Sequence, residues 1–166
     1  MTDHRDLEAK LRDRDGSCRD INFSEHLSAK ASLALLEVVS TEWTLSNATD
    51  QHGAAISRTD ISRLVGIGTG AVTTVWRRGS FLDHLRCFLC WDPTNGVFCE
   101  LTFFPEDIIG NEPFFKKFTD FLSLLLNAAQ QPDYYVRYEN ASWRHGETGP
   151  ESGVIFSHHS HPLGGG

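Results

Sequence analysis

The sequence predicts an α+β domain: a mainly antiparallel sheet of about five strands with two principal helices packed on it. Three observations lead there. Two segments, near 27–40 and 114–129, repeat apolar residues at helical spacing. The strand-like runs are grouped rather than alternating with helices, which disfavours regular βαβ units. Two of those runs, Leu85 to Trp91 and Val97 to Phe104, flank Asp92-Pro93-Thr94-Asn95-Gly96, a turn sequence in which Pro presets φ and Asn-Gly tolerates left-handed angles.

Taken in order, residues 1–20 hold six acids and five bases, with Leu7 and Leu11 as an i,i+4 apolar pair. That pattern predicts a short, highly solvated helix over residues 1–15, ended by Gly16. Polar and apolar residues alternate from Cys18 to Phe23, as in a short strand. Ser24 or Ser28 can cap the helix near 27–40, on which Leu33, Leu36 and Val39 recur beside Leu35. Glu42 to Leu45 reads as a strand, and Asn47 to Gly53 is rich in turn formers. Ala54 to Leu64 is ambiguous. Gly66, Gly68 and Gly70 precede a strand from Ala71 to Arg77. Pro105 stops the 97–104 strand, and Pro113 is placed to start a helix. From there Phe114, Phe118, Phe121, Leu122, Leu125 and Ala129 form one wide apolar face. Tyr134 to Tyr138 is a further strand, and Val154 to Phe156 is a short one or a packed loop. The expected organisation is a helix at 1–15, one domain at 16–157 and a flexible His/Gly tail at 158–166.

Composition narrows the function classes. The 166 residues are 40% hydrophobic, with 11 Phe and 4 Trp, enough for a real core. No run approaches ~18 apolar residues, so no membrane span is expected. The start, Met1 to Asp6, is charged and lacks the order of a secretory signal, so a cytoplasmic protein is the expectation. The formal charge of −7 argues against a nucleic-acid backbone as partner, because that binding depends on Lys and Arg displacing counterions. A charged partner is expected to be basic. Cys18, Cys87, Cys90 and Cys99 are expected to be free thiols, most of them buried.

Several motifs invite chemistry and lose to plainer readings. The 66–70 glycines lack the Lys-Ser/Thr of a phosphate loop and precede a strand where a dinucleotide motif needs a helix, so a turn between strands is expected. Cys87 and Cys90 have redox or zinc spacing, but on a strand they point to opposite faces. His158, His159 and His161 could hold a metal, yet have no acid nearby in sequence; neither a metal nor any cofactor is expected. Ser142, His145 and Glu147 are close in sequence without a nucleophile elbow.

The carboxylates are more suggestive. From Asp83 to Asp120 the chain carries a local net charge of −4, and Glu139, Glu147 and Glu151 bracket Trp143. The plain reading is a solvated acidic face. The sharper one is an aromatic anchor set in negative charge, suited to a basic partner. The basic stretch from Arg58 to Arg86 can pair with these acids internally.

Cys18 to Phe23, Trp91-Asp92 with Glu100 to Asp107, Tyr135 to Asn140, Ser142 to Glu147 and Gly153 to Ser157 together resemble bacterial immunity proteins, the small acidic antidotes encoded beside polymorphic or type VI secreted toxins. The resemblance implies a non-catalytic inhibitor of a cognate toxin. It assigns no site residues. From charge and aromatic placement, the expected toxin-binding residues are Glu139, Trp143, Glu147, Glu151, Glu106 and Asp107. Two alternatives remain: a secretion chaperone or adaptor with an exposed apolar groove for its client, and a small enzyme using His84, Cys87 or His145 in a shared pocket.

Overall fold

The computed structural model describes residues 3–110, 114–139, 143–145, 147 and 152–159. Its elements run α1 (His4–Arg12), β1 (Arg19–Phe23), α2 (Ala29–Glu42), β2 (Thr44–Asp50), α3 (Arg58–Leu64), β3 (Gly70–Arg77), β4 (His84–Asp92), β5 (Gly96–Phe103), a 3-10 turn (Pro105–Asp107), α4 (Phe114–Ala129), β6 (Tyr134–Tyr138) and β7 (Val154–Ser157). The α+β class holds. The sheet has seven strands rather than about five, in the order β2-β3-β4-β5-β1-β6-β7, with every neighbouring pair antiparallel. The first strand in sequence is thus interior, between β5 and β6, which explains why all its residues are buried.

Strand periodicity divides the sheet into two unlike faces. Leu85, Cys87, Leu89 and Trp91 of β4, and Val97, Cys99, Leu101 and Phe103 of β5, point into the core with Ile21, Phe23, Val72, Trp76 and Val136. Helices cover this side: Leu35, Leu36 and Val39 of α2 and Phe114, Phe118, Leu122 and Leu125 of α4 are all buried. Phe114 and Phe118 stack with centroids 5.3 Å apart, and Phe118 meets Phe103 edge-on at 5.4 Å. The buried Trp43 indole lies edge-on to Phe81 and Phe121 and donates to the Leu82 carbonyl at 2.7 Å.

Four local differences from the sequence reading have physical causes. β2 runs through Asn47 to Asp50, whose residue types favour a turn. There the ladder to β3 supplies hydrogen bonds that outweigh weak strand propensity, and a register shift between Leu45 and Asn47 absorbs the irregularity. The ambiguous stretch contains α3, started by a reciprocal cap between Ser57 and Asp60. The glycines at 66–70 therefore link a helix to a strand, not two strands. Arg58 pairs with Glu37 and Arg63 with Asp60, so neither reaches the acids of 83–120.

The N-terminal helix is solvated on one side only. Leu7 and Leu11 are 2% and 0% exposed. Its C-terminal end is held by Arg19, a fully buried arginine whose guanidinium donates to the carbonyls of Lys10 (3.0 and 3.2 Å) and Asp13 (2.8 Å) and stacks on Tyr138 at 4.7 Å. Those carbonyls belong to the helix terminus, where backbone acceptors lack intrahelical donors. At the other end of the chain, Asp133 accepts from the backbone N–H of His158 at 2.9 Å and pairs with the His159 ring at 2.7 Å. An acid thus stands beside these histidines in space, though not in sequence; His161 lies outside the described residues.

Candidate functional site

Among the described residues, no helix packs on the second face of the sheet. Towards β1 and β6, Asp20, Asn22, Tyr135 and Arg137 point to it and are buried, with Trp143 and His145 packed nearby. Towards β3, β4 and β5 the face is open: Arg86 and Cys90 are exposed, and Thr73, Phe88, Phe98, Glu100 and Thr102 are half-buried. Between the two halves is a cavity of about 470 Å³ lined by Cys18, Asp20, Thr73, Arg86, Phe88, Glu100, Thr102, Arg137 and Glu139. Its volume is in the range of ligand-sized clefts.

Arg137 organises this site. Its Nε donates to Asn22 Oδ1 at 2.7 Å, Nη1 to the Tyr138 carbonyl at 3.2 Å, and Nη2 to Glu100 Oε2 at 2.9 Å, with Asp20 Oδ2 3.4 Å away. Its flat face lies 4.3 Å from the Trp143 ring centroid, a cation–π contact. Register places these groups together, since Asp20 pairs with Arg137 on one side and Thr102 on the other, and Asn22 pairs with Glu100. Glu100 also accepts from Asn22 Nδ2 at 3.1 Å, and Asp20 from Thr102 Oγ1 at 2.8 Å.

One guanidinium thus faces two carboxylates, with a third, Glu139, at the rim. Burial first, and then the charge of Glu100, push the Asp20 carboxyl above its ordinary value, so Arg137 does not fully compensate the pair. Burial likewise raises the Cys18 thiol to about 12, aided by Asp20 and Glu139. This thiol is protonated at neutral pH and a poor nucleophile.

An aromatic ridge continues from the cavity across the open face. Phe88 and Phe98 meet edge-on at 6.4 Å, Phe98 and His145 at 5.9 Å, and His145 meets Trp143 at 5.9 Å. His26 lies 4.5 Å from His145. Burial, followed by the neighbouring His26, lowers the His145 pKa and favours its neutral form.

Of the residues expected from sequence, Glu139 and Trp143 come together here, through Cys18 and Arg137. Glu147 supports Trp143: its carbonyl accepts from the indole at 3.0 Å, and its carboxylate accepts from the Arg144 N–H at 3.2 Å. Glu151 lies outside the described residues. Glu106 and Asp107 do not join the group, because the 3-10 turn packs towards α1 at the helix-covered side. Asp107 is occupied there, accepting from the Phe104 N–H at 2.9 Å and facing His84 at 3.3 Å. Sequence reasoning missed Asp20, Asn22, Glu100 and Arg137 as a set. Their signal was polar residues at alternating strand positions, legible only once β1 is known to lie between β5 and β6.

The enzyme alternative needed at least two of His84, Cys87 and His145 to converge in one pocket. His84 lies at the start of β4 with Asp83 and Asp107, Cys87 faces the core, and His145 lies on the opposite face of the sheet. Cys87 and Cys90 do point to opposite faces, and all four cysteines are free. Hydrogen bonding with Cys87 and burial hold the Cys99 thiol protonated. Among the described residues no group of three or more His, Cys, Asp or Glu side chains is placed to hold a metal ion, and no helix is long and apolar enough to cross a membrane. A smaller groove of about 290 Å³ lies between α2 and α4, lined by Val38, Phe81, Phe121 and Leu124 together with Glu42, Lys117 and Asp120.

No protein-family profile and no curated protein matches the chain. Among solved structures, it is similar to a chain from the 1.75 Å crystal structure of the toxic C-terminal tip of CdiA from Pseudomonas aeruginosa in complex with immune protein. The TM-score is 0.54 at 15% identity, over 89% of this chain and 98% of that one. At this identity the likeness is one of fold.

Proposed function

We propose that this chain is an immunity protein that binds a cognate bacterial toxin domain and neutralises it through the helix-free face of its sheet. The observation that carries the reading is that face itself, half bare, with an under-compensated acidic cavity beside an aromatic ridge. A fold shared with a chain of a toxin–immune protein complex supports it. The type VI route suggested by the sequence gains nothing from that neighbour, whose toxin is CdiA, so the proposal leaves the delivery system open. In this reading the protein acts in the cytoplasm as a stoichiometric inhibitor. Negative charge speeds encounter with a basic toxin surface, and the contact between half-buried Trp143 and buried Arg137 gives the interface a pre-ordered anchor.

The test is co-expression with the product of the neighbouring gene, where this reading expects the cognate toxin. The expected result is restored growth and a stable complex on size exclusion. A toxin that kills equally with and without this chain, and does not co-elute with it, overturns the proposal. A complex in which Leu124→Asp in the α2–α4 groove abolishes binding, while changes on the open face do nothing, favours the chaperone alternative.

A further inference from the structure

We infer that the open-face cavity receives a basic side chain, arginine or lysine, from the partner. This deepens the toxin-binding reading and rests on it.

The argument is one of charge complementarity within a formed cavity. Arg137 is spent internally: Nε, Nη1 and Nη2 all donate to the protein, and its face is covered by Trp143. It therefore has little left to offer a ligand. The carboxylates are in the opposite position. Glu100, which lines the cavity, takes both donors, from Asn22 and Arg137, on Oε2, so among the described residues Oε1 keeps acceptor capacity for a guest. Glu139 is exposed at the rim. Asp20, only 5% exposed, has its pKa raised in part by Glu100, so a further cation near the pair would be stabilised by both. Phe88 supplies an aromatic wall, which suits a guanidinium or the stem of a lysine.

One group opposes this. Arg86 on β4 lines the same cavity, exposed and with no ion pair among the described residues, directly across the ladder from Thr102. Its charge subtracts from the acids, and its long side chain is free to swing outward. The two signs make a clear experiment, because removing Glu139 and removing Arg86 must act in opposite directions if the guest is a cation.

The measurement is the affinity of the neighbouring toxin domain for Glu139→Gln, Arg86→Gln and, as a control on the helix side, Glu106→Gln. A lost charge-assisted hydrogen bond corresponds to about a 10-fold weakening. Glu139→Gln is expected to weaken binding about 10-fold, Arg86→Gln to tighten it several-fold, and Glu106→Gln to leave it unchanged. Because the toxin complex could fail for other reasons, the chain is also titrated alone with N-acetyl-arginine amide and with inorganic phosphate while its amide and arginine side-chain NMR signals are followed. Saturable shifts at Arg137 and Glu139 with the arginine probe, reduced in Glu139→Gln, support the inference. Shifts with phosphate only, or weakening by Arg86→Gln, show an anion site and overturn it. A tight toxin complex indifferent to Glu139 and Arg86 overturns the inference while leaving the immunity reading intact. Arginine binding without any toxin complex overturns the immunity reading and leaves only a cation-accepting cavity whose partner is another protein.

Discussion

Replacing Arg137 by methionine keeps much of the stem's volume and removes the guanidinium. Asp20 then retains Thr102 and the Cys18 thiol, Glu100 retains Asn22, and no cation remains between the two carboxylates. Breaking one side of a buried ion pair costs ~3–5 kcal/mol. The Arg137 and Asp20 side chains are 5% and 7% exposed but that of Glu100 is 25% exposed, so water screens part of the loss and the lower end, about 3 kcal/mol, is expected. With a urea m-value of ~1.5–2 kcal/mol/M, the unfolding midpoint falls by about 1.5–2 M. The pH dependence has a definite sign. Asp20 has a raised pKa in the folded protein, so its contribution to stability is fully present below the unfolded value near 3.8 and is lost as pH rises through the raised one. Without Arg137 that rise is larger, and the deficit must shrink as pH is lowered from 7 towards 4. Adding Asp20→Asn and Glu100→Gln to the variant should recover much of the loss, since no uncompensated charge remains. Urea unfolding of the wild type and variants at both pH values is the assay. A deficit under about 1 kcal/mol at pH 7, or one that does not change with pH, refutes the account of this cluster.

Three further outcomes follow from other parts of the structure. Leu11→Ala, at a position with no exposure, is expected to cost ~2–4 kcal/mol in urea unfolding, whereas a free N-terminal helix would lose almost nothing. Of the four thiols, Cys90 alone is expected to react quickly with a disulfide reagent in the folded protein, with Cys18, Cys87 and Cys99 reacting only on unfolding; fast reaction of Cys18 would contradict its burial and raised pKa. His145 is expected to titrate below the ordinary histidine value by NMR, and His26→Gln to move it upward; an unshifted His145 would show that the two rings are not packed as described.

What the sequence made legible follows from the range of the interactions involved. The Phe114-to-Ala129 stripe and the Asp92–Gly96 turn are encoded within a few residues, and both elements form where they are expected. β2 was cut short because Asn47 to Asp50 have local turn chemistry that is overridden by pairing with residues some twenty-five positions away. The docking of α1 depends on Arg19, which sequence shows only as one more charge in a charged segment. The site divides in the same way. Glu139 and Trp143 stood out because acids and an aromatic are neighbours in sequence. Asp20, Glu100 and Arg137 come from three strands, adjacent only because the chain returns β1 to the middle of the sheet. Glu106 and Asp107 show the converse: they stand among acids in sequence, but their 3-10 turn packs towards α1, and Asp107 accepts from the Phe104 N–H.

The most direct test of the central claim is hydrogen–deuterium exchange of this chain alone and mixed with the product of its neighbouring gene, where the proposal expects the cognate toxin. The account requires new protection concentrated in β4, β5 and β6, with α2 and α4 unchanged. Protection confined to α2 and α4, or a complex that leaves the sheet's exchange as it was, would contradict it.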